Sequence, residues 1–362
     1  PLAKEREYTA GTFSFNAGNG RCATCAGNGF EHIEMQFLSD VYLRCADCDG
    51  KRYREEVLEV KYLGEGAGQA ASIADVLEMT VAHALEFFAD SKELSKVLKP
   101  LVDVGLDYLR LGQPVPTLSG GEAQRLKLAG HLAKHGAKRP KLALRGTLFL
   151  FDEPTTGLHF HDIVKLLNAF RALLEAGHSV IVIEHNLDVI RACDWIVDLG
   201  PEGGDGGGEL LFSGPPHEAS NESENATGQA LSGVFDRPLN GAARKRRTKA
   251  SDRIDIINAR EHNLRGVDVR IPHGALTVIT GVSGSGKSTV AFDILFGEGQ
   301  RRYLESLNAY ARQFVQPASR PEVDAISGLP PTVAIEQRTS RGGRKSTAGK
   351  GTEGHHFLRL LY

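Results

Sequence analysis

The chain has 362 residues, of which 41% are hydrophobic, 24% charged and 7% aromatic, and 43 Lys+Arg against 45 Asp+Glu leave a formal net charge of −2. The length predicts two or three domains at roughly 150 residues each, with enough core to stand without a disulfide scaffold. The composition excludes collagen-like, mucin-like and wholly disordered classes, and no apolar run approaches the roughly 18 residues of a membrane span. The balanced charge neither requires nor forbids a local basic groove. The first residues, Pro1-Leu2-Ala3-Lys4-Glu5-Arg6, have no apolar h-region and no Met. No secretory signal is expected there, and the missing Met suggests a fragment or a processed chain.

Residues 1–65 are expected to form a zinc module. Cys22-x2-Cys25 and Cys45-x2-Cys48 are separated by 19 residues, which matches the spacing of a four-cysteine zinc site. A two-residue gap lets both thiolates of a knuckle face one tetrahedral metal. Gly27, Gly29 and Gly50 follow the knuckles, where tight turns require positive φ. The competing reading is a pair of redox or disulfide motifs, which a cytoplasmic chain would not keep oxidised. The fifth cysteine, Cys193, sits in an apolar stretch and reads as a small buried hydrophobe. Phe30 to Phe37 alternates as a strand does. Residues 72–110 read as helical, broken at Pro100.

Leu118-Ser119-Gly120-Gly121-Glu122 opens a helix expected to run to about Lys134. Ser119 and Glu122 satisfy a capping box, yet the double glycine exceeds what a cap needs and leaves bare backbone that a phosphate could approach. Strand-like runs follow at Thr147–Phe151, Ser179–Ile183 and Trp195–Leu199, with a helix from Asp162 to Ala176 closed by Gly177. This βαβ rhythm predicts a largely parallel sheet, and so an α/β fold. The first run ends in Asp152-Glu153. Acids at the C-terminal edge of such a strand lie where ligands bind in open α/β sheets. Asp152 would orient Mg²⁺ and Glu153 would polarise an attacking water. The next strand ends in Glu184-His185, which places His185 within reach of a γ-phosphate. Residues 216–252 read as a polar, then basic, linker. Its Arg244-Lys245-Arg246-Arg247 run is a solvated face or a phosphate contact.

Gly281-Val282-Ser283-Gly284-Ser285-Gly286-Lys287-Ser288 fits the phosphate-loop pattern G-x-x-x-x-G-K-[ST] without a mismatch. A buried-type strand, Ala275–Thr280, precedes it and a helical run, Thr289–Phe296, follows. Backbone N–H groups of the loop and of the helix start would cradle the phosphates of ATP. Lys287 would supply a charge and Ser288 a hydroxyl for Mg²⁺. Gln337, just past a strand-like Pro331–Ile335, could reach Mg²⁺ or the attacking water; a plain surface Gln is the ordinary reading.

Phosphate loop, Gln, LSGGE, apolar-Asp-Glu and a terminal His together resemble the ATP-binding cassette (ABC) ATPases. Within them, LSGGEAQRLKLAGHLA, LFLFDEPTTGLH, VIVIEHNLDVIRACDWIVDLGPEGGDGGG, GVSGSGKSTVAFDILFGEGQRRYLESLNAYARQFVQ and GRCATCAGNGF…RCADCDGKRY are similar to UvrA, the DNA-damage-sensing ATPase family of the bacterial excinuclease. The resemblance implies P-loop ABC-type nucleotide-binding pieces with an inserted helical signature region and a zinc module. Gly281, Ser283, Gly284, Gly286, Lys287, Ser288 and Thr289 take the phosphate-loop role and Gln337 the Q-loop. Ser119, Gly120 and Gly121 take the signature, Asp152 and Glu153 the Walker B pair, and His185 the switch histidine. Cys22, Cys25, Cys45 and Cys48 take the zinc site. ATP, Mg²⁺ and Zn²⁺ are the implied cofactors. Damaged double-stranded DNA, head-to-tail or homodimeric pairing, and, for a parent protein, the next excinuclease subunit are the implied partners. The location implied is cytoplasmic.

The motif order departs from a single ABC module, in which phosphate loop and Q-loop come first. Residues 66–215 resemble the C-terminal half of one module and residues 253–362 the N-terminal half of another. Either the chain spans the junction of two fused units, or it is a circularly permuted module whose long linker lets Lys287 meet Asp152. Residues Ala348 to Gly354, with three glycines, stand where the family carries apolar and β-branched residues. Three functions stay open: a repair ATPase, a zinc-stapled DNA-binding and dimerisation piece without turnover, and a UvrA-like drug-resistance ATPase. Arg21, Arg44, Lys51 and Arg52 are candidate DNA contacts.

Overall fold

A computed structural model describes residues 2–33, 41–63, 70–135, 146–220, 226–235, 252–306 and 320–335, together with residues 358 and 361. Gln337, the basic run 244–247 and the stretch 348–354 lie outside the described residues. The chain divides into two units, one formed by Pro1–Lys134 with Arg338–Tyr362 and the other by His135–Gln337.

In the first unit, β1 (Phe30–Ile33) and β2 (Val41–Arg44) pair as an antiparallel hairpin that ends beside the second cysteine knuckle. A second antiparallel pair joins β3 (Lys61–Leu63) to β4 (Ala70–Ser72). Helices Ile73–Glu78, Val81–Phe87 and Lys92–Asp103 follow. Their starts are set by side chains that accept otherwise unpaired N–H groups: Ser72 with Asp75 in a capping box, Thr80, and Ser91. The expected break at Pro100 is corrected, because the third helix runs through it to Asp103. A proline lacks only its own N–H, and the Pro100 carbonyl still accepts from the Val104 N–H at 3.2 Å. The breaks fall instead at the segments between the three helices, where Thr80 and Ser91 restart the backbone.

In the second unit a six-stranded sheet carries the core. Its strands are β5 (Leu148–Asp152), β6 (Ser179–Ile183), β7 (Trp195–Gly200), β8 (Glu209–Gly214), β11 (Leu276–Gly281) and β13 (Thr332–Ile335). Their order among the described residues is β13-β5-β6-β11-β7-β8. All pairs are parallel except β7–β8, which is the mixed α/β architecture expected from the βαβ rhythm. Residues 148–151 and 179–183 are buried throughout, as unbroken apolar runs are in a parallel sheet covered on both faces. A smaller sheet, β10 (Val267–Pro272), β9 (Arg253–Ala259) and β12 (Ala325–Ser327), packs its apolar residues into the same core. Each fully buried Leu, Ile or Phe contributes about 1.5–3 kcal/mol.

The strand that leads into the phosphate loop, β11, is inserted between β6 and β7. Segments from both sides of 216–252 therefore build one sheet, and the expectation of a linker there is corrected for its first part, where Pro216–Ala219 and Ala226–Phe235 are helices that bury Ala219 and Leu231. Register pairs Ile279 with Ile183 and with Val197, so the C-terminal ends of β5, β6 and β11 share one edge. The run Thr289–Phe296 is helical as expected, but widens into π turns before the α-helix Gly297–Ser306.

Candidate functional site

The phosphate loop leaves the end of β11 with Gly281, Gly284 and Gly286 at φ 133°, 77° and 103°, a region that side chains avoid. Space demands glycine as well: a Cβ on Gly281 would lie 1.9 Å from the Leu199 carbonyl oxygen. Lys287 is only 7% exposed, and its ammonium donates to the Gly281 and Val282 carbonyls at 3.1 and 2.8 Å. Burial pulls its pKa down, against the attraction of Glu153, Asp152 and Asp198. The lysine thus lies in the electrostatic field of the acid pair. Ser283, Gly284 and Ser288 are exposed, while Gly286 and Thr289 are buried behind them.

Asp152 closes β5, and Glu153 follows with φ 43°. That left-handed backbone is uncommon for a residue with a side chain. It is held by the Glu153 N–H donating to the Ile183 carbonyl at 3.0 Å. Glu153 Oε1 lies 3.5 Å from His185 Nε2, both side chains about half exposed. The sheet edge therefore brings Lys287, Asp152, Glu153 and His185 together. Gln337 lies outside the described residues, two positions in sequence past the end of β13, the neighbour of β5.

A residue that the sequence reading passed over organises this edge. Glu184 is 2% exposed. Its Oε1 accepts from the Thr155 N–H at 2.9 Å, and its Oε2 from the His185 and Asn186 N–H groups at 2.9 and 3.1 Å. One buried carboxylate thereby ties the turn after Glu153 to the turn bearing His185. The only sequence signal was an acid directly after a fully apolar strand. Asp198, on β7 beside Thr280, is also 2% exposed. Burial pushes its pKa up to about 6, against a hydrogen bond from the Thr227 hydroxyl at 3.0 Å. It borders a cavity of about 770 Å³ lined by His185, Ile190, Leu199, Ala230 and Gly281 among others.

The Leu118–Glu122 segment belongs to the other unit. The helix Gly120–His135 starts on the expected capping box: the Ser119 N–H donates to Glu122 Oε2 at 2.7 Å and the Glu122 N–H to Ser119 Oγ at 3.3 Å. The Tyr108 hydroxyl donates to Glu122 Oε1 at 2.5 Å. Ser119 is exposed, Gly120 half-buried and Gly121 buried.

Cys22, Cys25, Cys45 and Cys48 are all buried, and their sulfurs lie within 4.8 Å of one another. Cys22–Cys45 and Cys25–Cys48 sulfurs are 4.0 and 3.7 Å apart. Four thiolates about 2.3 Å from a tetrahedral zinc would stand roughly 3.8 Å apart, so the tetrad fits that ion. None of the five cysteines is in a disulfide, and Gly27, Gly29 and Gly50 have the positive φ expected of the knuckles. Cys193 is buried and donates to the Ile190 carbonyl at 3.0 Å.

Of the proposed DNA contacts, Arg52 is corrected. It is 8% exposed, stacks 5.0 Å over the Phe15 ring and donates to the Gly112 carbonyl at 2.9 Å. It fastens the knuckle to its own unit. Arg44, 3.4 Å from Asp49, and Lys51 remain at the surface. Arg21 is half-buried and donates to the Asn16 carbonyl at 2.9 Å. Among the described residues no helix is long and apolar enough to cross a membrane.

No family model matches the chain. It is 53% identical over 220 residues to UvrABC system protein A of Thermus thermophilus, covering 61% of this chain and 22% of that protein. It is 52% identical over 229 residues to UvrABC system protein A of Clostridium perfringens, covering 63% and 23%. A crystal structure of UvrA2 from Deinococcus radiodurans superposes with a TM-score of 0.59 at 45% identity, covering 65% of this chain and 27% of that one. The chain thus spans about a quarter of the length of the proteins it matches. Lys287 beside the acid pair, the capped LSGGE helix, the cysteine tetrad and these identities converge: the chain is UvrA-like.

Proposed function

We propose that the chain supplies ATP binding and hydrolysis, together with DNA binding, to a nucleotide excision repair assembly. The observation that carries this is one sheet edge holding Lys287, Asp152, Glu153 and His185 around a phosphate loop. On this reading the sheet strands within 148–214 and 276–335 build one nucleotide-binding core, 66–134 carry the LSGGE helix and 1–65 form the zinc module.

The loop amides and Lys287 hold the β- and γ-phosphates. Binding draws the Lys287 ammonium off the Gly281 and Val282 carbonyls and onto phosphate oxygens. The Ser288 hydroxyl and Asp152 would hold Mg²⁺, which would supply charge neutralisation at the phosphates. Glu153 orients and polarises the attacking water. His185, 3.5 Å from Glu153, contacts the γ-phosphate and reports its presence to the β6 turn. Glu184 keeps those two residues in register. Ser119, Gly120 and Gly121 offer a capped helix N-terminus to a phosphate. In ABC-type pairing that phosphate belongs to a second copy, so the composite site takes two chains head to tail.

The four cysteines would hold Zn²⁺, which stiffens the module carrying Arg44 and Lys51. These two place positive charge against DNA phosphates and make binding salt-dependent. The names of the relatives support excision repair over drug resistance.

The test is ATP hydrolysis against protein concentration, with Lys287→Ala as control. The expected rate rises faster than linearly and disappears in the variant. Turnover no greater than the variant's would reject the ATPase reading in favour of the zinc-stapled DNA-binding piece. Anisotropy titration of a damaged against an intact duplex tests the DNA role separately.

A further inference from the structure

A phosphate loop must aim its N–H groups at the ligand, which leaves its carbonyls facing the protein and in need of donors. For the Gly284 and Ser285 carbonyls those donors come from a second glycine run, Gly203-Gly204-Asp205-Gly206-Gly207-Gly208, far away in sequence. The Gly204 N–H donates to the Gly284 carbonyl at 3.1 Å and the Gly208 N–H to the Ser285 carbonyl at 3.3 Å. The side chain of Asn263, in the turn between β9 and β10, closes the assembly. Its Nδ2 donates to the Gly284 carbonyl at 2.8 Å and to the Gly204 carbonyl at 3.0 Å, so it bridges the two loops.

The glycines are there for contact. A Cβ on Gly203 would lie 2.3 Å from the Ser283 carbonyl oxygen, and one on Gly208 would lie 1.8 Å from that of Asn263. Arg265 pins the other side of the run, through Glu209 at 2.7 Å and the Asp205 carbonyl. Carbonyl and N–H of a trans peptide point in opposite directions. Holding the Ser285 carbonyl towards Gly208 therefore aims the Gly286 N–H away from the clamp.

We infer that Asn263 is a positioning residue that, with the 203–208 glycine run, clamps the phosphate loop in its anion-binding shape. The inference rests on the reading of the loop as an ATP site for its consequence, but not for the clamp itself. What matters chemically is that both Nδ2 hydrogens are donated to carbonyl oxygens. Asparagine has that donor. Aspartate has the same shape and presents only acceptors to the same oxygens.

The test compares Asn263→Ala and Asn263→Asp in the full chain. Amide hydrogen exchange without nucleotide should quicken in peptides covering 203–208 and 281–287 in both variants, and stay unchanged in Pro1–Lys134. Affinity for a fluorescent ATP analogue should fall about tenfold in the alanine variant, the scale of losing two neutral hydrogen bonds, and further in the aspartate variant. Exchange that stays unchanged in both loops overturns the clamp. So does an aspartate variant that binds as well as or better than alanine, since side-chain volume alone would then be the cause. If the unmodified chain and Lys287→Ala bind the analogue equally weakly, the ATP reading fails instead, and the exchange data still decide the clamp.

Discussion

Replacing Glu184 gives the sharpest test of how this sheet edge is held. The carboxylate is buried and accepts three backbone N–H groups, at 2.9 Å from Thr155, 2.9 Å from His185 and 3.1 Å from Asn186. Hydrogen bonds to a charged group contribute about 1.5–3 kcal/mol each. In Glu184→Gln the amide oxygen keeps the two bonds from His185 and Asn186. The amide nitrogen then faces the Thr155 N–H, donor against donor, so one bond is lost and one close contact becomes unfavourable. The expected cost is about 2 kcal/mol. Glu184→Ala leaves all three N–H groups without their acceptor; with partial access of water the expected cost is about 4 kcal/mol. Urea unfolding measures both. A second readout separates positioning from bulk stability: at a temperature where both variants are folded, ATP turnover should fall in Glu184→Gln while affinity for the nucleotide holds. The phosphate loop itself does not touch Glu184 by any of these bonds, whereas Glu153 and His185 depend on it. A Glu184→Gln protein with the stability and turnover of the original would refute the reasoning. It would mean that the turns after β5 and β6 hold their own shape.

Asp198 gives a pH prediction with a defined sign. Its carboxyl is raised by burial from the usual 3.8 to about 6, so the unfolded chain releases this proton first and stability is lost as pH rises through that window. Asp198→Asn should match the original chain below about pH 4 and exceed it by up to about 3 kcal/mol above pH 7, as urea unfolding across pH would record; a gap independent of pH would exclude burial as the cause. Cys45→Ser should drop bound zinc from about one ion per chain to almost none, by metal analysis after dialysis, because three thiolates no longer complete the tetrahedron; retained zinc would show that the tetrad is not the site. Ser119→Ala removes the acceptor for the Glu122 N–H and should cost about 1 kcal/mol in urea unfolding; a neutral result would mean that Glu122 alone caps the helix.

Much of this chain was legible in its sequence because its motifs are local. The phosphate loop needs glycines at fixed offsets and a lysine beside them, and these residues dictate their own backbone. The same holds for the capping box of Ser119 and Glu122 and for the cysteine knuckles, whose glycines take the positive φ that the turns require. Apolar runs such as 148–151 announce buried parallel strands, since no face of them can be left in water. Pro100 misled, because its missing N–H reads as a break while the carbonyl that continues the helix is invisible in the sequence.

Tertiary structure decided what depends on distant segments. The sequence left open whether the phosphate loop and the acid pair share a core; strand pairing places β11 between β6 and β7, which brings Lys287 into the field of Asp152 and Glu153. The work of Glu184 and Asn263 appears only when loops far apart in the chain come within hydrogen-bond reach. Arg52 looked like a surface cation and is a buried one, because its guanidinium can satisfy a carbonyl and an aromatic face inside the unit. Local conformation follows from residue type and spacing. Which buried polar group meets which partner follows from the packing that surrounds it, and that packing is set by the sheet.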